Sequence, residues 1–401
     1  MNLNVTEALP MPDPDSTSHL ATPMLFDRGF RPFFLLAGLW APVALLLWLS
    51  MLAGILELPT AMDPVAWHVH EMLFGFVAAA IAGFLLTALP GWTGCPPLRG
   101  LPLAALAVLW LAGRLAVALS MWIGAGPATA IDIAFLTTLA VLCARGIAIG
   151  RNWRNLIVIA LLALLIAANA LFHLGEAETA ERAAIATIVT LVALIGGRVV
   201  PEFTRNWLTQ RGAAKLPAQR GRFDSVAMVV TGSATIAWTI VGDHSLVAVW
   251  LGLSAAALAA RLVRWRGLST AAEPLLWVLH LGYLWLPVGL ALLAVSMHSP
   301  AVPRSVALHA LTAGAMATMI LAMMTRAIRG HTGRPLTASG ATAMIYLLVT
   351  AAAAARLASG LVDNVSPALL HVSAAAWIAA FALFVLAYGP MLLCGRLNPP
   401  A

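Results

Sequence analysis

An all-α, polytopic membrane helix bundle of about twelve transmembrane helices is the fold class this sequence predicts, and three observations carry it. Of 401 residues, 61% are hydrophobic and only 10% charged, where an ordinary soluble domain carries about 25% charge. The apolar residues form unbroken runs of roughly 20, the length that crosses about 30 Å of hydrocarbon. The basic residues fall almost entirely on one side of those runs. So apolar a surface cannot be kept in water. In lipid, each helix satisfies its own backbone hydrogen bonds.

The runs read as Phe33–Leu56, Ala66–Leu89, Leu101–Met121, Pro127–Ile149, Arg154–Leu174 and Ala180–Val200 in the first half. The second half gives Phe223–Val241, Ser245–Val263, Glu273–Met297, Arg304–Thr325, Ala338–Ala358 and Pro367–Leu393. Turn chemistry marks the gaps at Pro96-Pro97, Gly124-Ala125-Gly126-Pro127, Ser299-Pro300 and Ser366-Pro367. Ser245–Val263 is short and Ala338–Ala358 is alanine-rich. Loss of either would move the C-terminus across the membrane.

Charge checks the count independently. Of the 23 Lys and Arg residues, Arg114 and Arg356 fall inside runs and Arg182 and Arg304 lie on one side; the other nineteen lie opposite. That bias predicts a multi-pass protein of the inner (plasma) membrane with both termini cytoplasmic. It also accounts for the net charge of +7 without nucleic acid, for which no groove-entering or base-stacking element is present. Residues 1–30 read as a flexible cytoplasmic tail with Glu7, Asp13 and Asp15, without the basic start and short apolar core of a cleavable signal. Residues 31–396 read as one twelve-helix domain. Cys95, Cys143 and Cys394 lack CxxC spacing and read as packed thiols.

Helices 1–4 resemble helices 9–12. Leu39-Trp40-Ala41-Pro42-Val43 matches Leu284-Trp285-Leu286-Pro287-Val288, and Pro32 matches Pro274. His70, Gly75, Thr93-Gly94 and Pro96 match His309, Gly314, Thr332-Gly333 and Pro335 at a constant offset. Arg114-Leu115-Ala116 and Pro127 then match Arg356-Leu357-Ala358 and Pro367. A shift of eight helices keeps both copies in one orientation, so the expected pseudo-axis runs along the membrane normal.

Ionisable groups inside hydrocarbon are costly unless used. His68, His70 and Glu71 lie in the first turns of the second span, at its outer end, and His173 closes the fifth span on the same side. His309, His371, Arg114, Asp132 and Arg356 also fall in outer halves, whereas His280 lies toward the cytoplasmic half. Any one of these histidines reads as a helix-end polar residue, with Arg356 snorkelling outward and Asp132 among headgroups. The one-sided set reads as a site. Neutral imidazole is the commonest side-chain ligand of transition metals. Two histidines from opposing helices suit a haem iron, and three suit copper. His68 and His70 sit about 200° apart on a regular helix, so they cannot face one metal. Met316, Met319 and Met323 follow helical spacing below His309, and read as core packing rather than Cu(I) ligands.

The block Trp67-His68-Val69-His70-Glu71-Met72-Leu73-Phe74-Gly75, continuing through Leu86-Thr87-Ala88-Leu89-Pro90-Gly91-Trp92-Thr93-Gly94, resembles the signature of the NnrS family. Phe30-Arg31-Pro32-Phe33-Phe34, Arg151-Asn152-Trp153-Arg154-Asn155-Leu156 and Gly196-Gly197-Arg198-Val199-Val200-Pro201 with Phe203-Thr204-Arg205-Asn206 agree with it. Gly91 departs from the family's usual Asn. The resemblance implies a membrane protein containing haem, of b type, and copper, tied to nitric oxide metabolism and resistance to nitrosative stress. His68, His70 and Glu71 carry over from the family's block.

Repeat and depth together give a sharper expectation. His70 and His309 bracket a haem iron, with Arg114 and Arg356 on its propionates. His68 with His173 or His371 is left for copper, while Glu71 and Asp132 orient ligands or relay protons. The small-molecule ligand is then nitric oxide or a related species. A secondary transporter and a haem-based sensor or assembly factor compete with this redox reading. The off-centre depth of the ionisable groups disfavours transport, and no phosphate-binding loop or nucleophile elbow is present.

Overall fold

The computed structural model describes residues 23–362 and 366–396; the acidic residues Glu7, Asp13 and Asp15 lie outside them. Twelve helices among the described residues are long and apolar enough to span a membrane. They are α1 (Phe30–Leu52), α2 (Pro64–Thr93), α3 (Leu101–Ala118), α4 (Ala125–Ile149), α5 (Trp153–His173) and α6 (Ala177–Gln210). The second half comprises α7 (Arg222–Val241), α8 (Ser245–Val263), α9 (Pro274–Ser296), α10 (Arg304–His331), α11 (Gly340–Ser359) and α12 (Pro367–Leu393). The chain is a multi-pass helical membrane protein. Both ends of the described chain lie on one face of the bundle, the termini face.

Helix count follows hydropathy, but helix length does not. The sixth run continues past Val200 to Gln210, and the tenth past Thr325 to His331. Hydropathy marks only the lipid-length part of a helix, and α6 runs on through Pro201, which lies inside it without ending it. Conversely, the third span stops at Ala118, and Ser120–Ile123 form a separate turn of helix. Part of the expected tail is structured. Met24–Phe26 make a 3₁₀ turn, and Gly100 N–H donates to Phe26 O at 2.8 Å. Start signals sit where the sequence supplies acceptors. Asp63 Oδ1 accepts from the Val65 and Ala66 amides (2.9 and 3.0 Å) ahead of Pro64.

Neighbouring helices pack in order around the bundle, and α12 packs on α1 to close it. The helices group in three quartets, α1–α4, α5–α8 and α9–α12. The second helix of each is innermost: α2, α6 and α10 bury 72%, 67% and 67% of their most apolar stretch, against 28–56% for the others. An apolar cavity of about 80 Å³ lies where these three meet, with Ile81 and Phe84 of α2 opposite Ile320 and Met323 of α10.

The duplicated quartets share a backbone irregularity that the sequence does not announce. Directly after His70, residues Glu71–Val77 are π-helical, and directly after His309, Ala310–Met316 are too. The offset is the one that relates the two histidines. Each π segment carries a glycine under a tryptophan of the preceding helix. A Cβ on Gly75 would meet Trp40 Nε1 at 2.6 Å, and one on Gly314 would meet the Trp285 ring at 2.7 Å. The matched prolines Pro42 and Pro287 both lie inside their helices, where each removes an i→i−4 hydrogen bond.

Two outcomes are expected. Gly75→Ala and Gly314→Ala each lower stability by about 1–3 kcal/mol through overpacking, whereas Gly91→Ala, with nothing within 4 Å, does not; thermal unfolding in detergent reads the difference. Cysteine labelling from outside the cell reaches Asp243 and the 176–181 connection but not residues 205–222, as the arginine bias requires.

Candidate functional site

The helix geometry of α2 sends its two histidines to opposite sides. His70 is fully buried and meets α4 and α5. Its Nδ1 lies 3.2 Å from Glu71 Oε1, and its Nε2 lies 3.1 Å from Asp132 Oδ2 and 3.0 Å from Asn169 Oδ1. Asp132, only 1% exposed, is the hub. Its Oδ2 accepts from Asn169 Nδ2 (2.8 Å) and His173 Nε2 (3.0 Å), while Oδ1 accepts from Arg114 Nη2. Arg114 Nη1 donates to Glu71 Oε1 at 2.7 Å, and Trp40 Nε1 donates to Glu71 Oε2 at 2.9 Å. One atom each from His70, Asp132 and His173 lies within 4.8 Å of the other two.

Counting charges shows what this cluster can do. Two buried carboxylates face one guanidinium, which leaves one negative charge in a low-dielectric interior where uncompensated charge is costly. Both His70 nitrogens face oxygen acceptors. That set is complete when each nitrogen carries a proton, or when a cation takes a proton's place. Two imidazoles and a carboxylate are a suitable donor set for a transition-metal ion. The residues therefore fit one small cation. They do not fit a haem iron, because no face of His70 Nε2 is open to a macrocycle.

His68 turns the other way. Its ring stacks on Trp48 with centroids 4.0 Å apart. Its buried Nδ1 has no partner among the described residues. His309 and Arg356 lie within electrostatic range of it. His309 Nδ1–H donates to Ser305 O at 2.7 Å, which fixes the tautomer and leaves Nε2 as a free ligand atom. Among the described residues Arg356 keeps one side-chain partner, Ser359 Oγ at 3.3 Å. The buried Nε1 atoms of Trp48, Trp67 and Trp285 are also without partners. Available imidazole nitrogens beside an uncommitted arginine suit a haem and its propionates.

Several expectations thus find a different arrangement. His70 and His309 stand in separate clusters rather than bracketing one iron, since every close polar partner of His70 comes from α2, α4 and α5. Arg114 is committed to two carboxylates, so its terminal nitrogens are not free for propionates. Asp132 is the centre of a network and not a headgroup residue. His173 joins His70, as the shared depth suggested, whereas His371 is exposed and turns its Nδ1 to Pro367 O (2.7 Å). His280 bonds Thr204 Oγ1 at 2.9 Å, away from both clusters. Met316 is buried core, and Met319 and Met323 line the central cavity. The sequence reading missed Asn169, Trp40 and Trp48. Asn169 had a signal: it is four residues before His173 on one helix face, in an otherwise apolar span.

Removing the shared guanidinium separates the two arginines that the repeat equates. Arg114→Leu strands two buried carboxylates and is expected to cost about 3–5 kcal/mol. Arg356→Leu costs at most about 1 kcal/mol. Comparing the two melting curves checks this.

No curated protein matches the chain. The family model described as "NnrS protein" matches residues 24–396, which include all the quoted blocks and both histidine clusters. The resemblance read from Trp67–Gly75 is therefore borne out across nearly the whole chain. The chain belongs to the NnrS family, a family linked to nitric oxide metabolism.

Proposed function

We propose that this protein is a two-centre redox protein of the inner membrane that acts on nitric oxide or a related species. The arginine-rich termini face is cytoplasmic, and both centres lie in the outer leaflet. One centre is a single metal ion, copper, held by His70, His173 and Asp132. The other is a haem of b type held from His309, with His68 beside it and Arg356 on the propionates. His371 is left without a ligand role. The observation that carries this reading is the opposed orientation of His68 and His70, which gives one helix a place in two chemically different clusters.

The chain's own residues divide the work. Glu71 and Arg114 hold His70 and Asp132 in place, so the donor atoms stay aligned whether the cluster holds a proton or a cation. The bound groups supply the electron transfer. Around them the helices exclude water, and the central cavity between Ile81, Phe84, Ile320 and Met323 is large and apolar enough for an uncharged diatomic.

Optical spectra and metal analysis of detergent-purified protein test the proposal. His309→Ala is expected to lose haem and keep copper; His70→Ala and His173→Ala are expected to lose copper and keep haem. Wild-type protein free of iron and copper after expression with haem supplied would overturn the reading. A buried charge cluster serving solute transport would replace it.

A further inference from the structure

The block Phe30-Arg31-Pro32-Phe33-Phe34 takes no part in either centre, yet its arginine is among the most buried charges in the molecule. Arg31 is 2% exposed. It sits at the start of α1 on the termini face, and its Nη1 donates to Leu392 O and Cys394 O, both at 2.7 Å, at the C-terminal end of α12. Those carbonyls are the negative end of a helix, and they hold the side chain in place. Its buried Nε has no partner among the described residues.

Arg31 lines a polar cavity of about 300 Å³ together with Asp27, Arg28, Phe30, His331 and Arg396. The His331 ring stacks on Phe30 with centroids 5.4 Å apart. Arg334 is within electrostatic range of Arg31, and Arg28 and Arg396 are within range of His331. Among the described residues one acid faces this set: Asp27, 3.9 Å from Arg28 in an exposed pair, a contact worth little. Topology alone asks only for basic residues somewhere in the connections. It does not ask for three arginines and a histidine around one concave space, one of them buried with an unpaired nitrogen.

We propose that this cavity binds a phosphate group, whether the headgroup of an anionic lipid or a phosphate ester from solution. Arginine's planar fork matches phosphate oxygens in pairs. The added anion relieves the repulsion among Arg28, Arg31 and Arg396. The site is independent of the haem and copper assignments, because it lies on the opposite face of the bundle.

The test uses the full chain, so that Glu7, Asp13 and Asp15 are present as competing anions. Native mass spectrometry and thermal unfolding are followed with phosphatidylglycerol in neutral-detergent micelles, with phosphatidylcholine in the same micelles, and with glycerol phosphate alone. Phosphatidylglycerol, and not phosphatidylcholine, is expected to bind one per chain and raise the melting temperature. The exposed-residue variants Arg28→Gln and Arg396→Gln, made singly and together, weaken it by about tenfold or more while metal and haem content stay unchanged. Equal stabilisation by glycerol phosphate assigns the phosphate to solution and supports the same site. Binding of neither probe, or affinity unchanged in every variant, overturns the proposal.

Discussion

Asp132 is the interaction on which the functional end of the bundle depends. Its carboxylate gathers donors from α2, α3 and α5 onto α4, so four helices of two quartets are tied at one point. In a bilayer interior such a group is tolerable only when every lone pair is used. That demand fixes neighbours in turn. Gly113 leaves room for the carboxylate: a Cβ there would meet Asp132 Oδ1 at 3.1 Å and press on it. Glu71 must sit where Arg114 and Trp40 reach it, and the widened turns of the π segment run from Glu71 to Val77 directly after His70.

The second copy shows what happens when that demand is lifted. The position equivalent to Glu71 is Ala310, the residue that opens the matching π segment. Among the described residues, Trp285, the counterpart of Trp40, then has no acceptor for its Nε1, and Arg356, the counterpart of Arg114, bonds no carboxylate. The backbone device is retained while the polar network is gone, which leaves His309 with a free nitrogen where His70 has none. One duplicated scaffold thereby yields a closed cluster and an open one. His68, turned away from His70 on the same helix, completes the open one from the other copy.

The sequence made the bundle legible because lipid leaves few alternatives. Run length and arginine placement marked all twelve helices, and depth alone brought His173 to His70's level. Depth, however, does not give azimuth. His70 and His309 share a height and a repeat position, yet the face each presents depends on how the π turn rotates the helix, and no residue in Glu71–Val77 or Ala310–Met316 advertises one. Partner identity was equally hidden. Arg114 and Arg356 look alike in sequence, and what separates them is Glu71 on α2 and Asp132 seven residues into α4. At the matching end of α12, the residues near that register are His371 and Val372.

Buried arginines in this molecule can be sorted by how many of their donors are satisfied, and the sorting explains where chemistry is placed. Arg261 of α8 is 1% exposed. It donates to Asp224 Oδ1 (2.8 Å), to Ala193 O and Tyr283 Oη (both 3.1 Å) and to Gly197 O (3.3 Å). It therefore knots α6, α7, α8 and α9 near the termini face and has nothing left to offer a ligand. Arg114 spends both terminal nitrogens on carboxylates, and its Nε has no partner among the described residues. Arg31 and the half-buried Arg356 differ: among the described residues, Arg31 bonds only backbone carbonyls through Nη1, and Arg356 bonds only Ser359 Oγ. A fully bonded buried arginine holds helices together, because moving any partner exposes a charge to hydrocarbon. An incompletely bonded one keeps donors to spare, and phosphate and propionate oxygens are acceptors whose geometry fits them. The middle quartet thus locks the bundle with Arg261, while Arg31 and Arg356 keep donors to spare at opposite faces, as the two proposed ligand sites require.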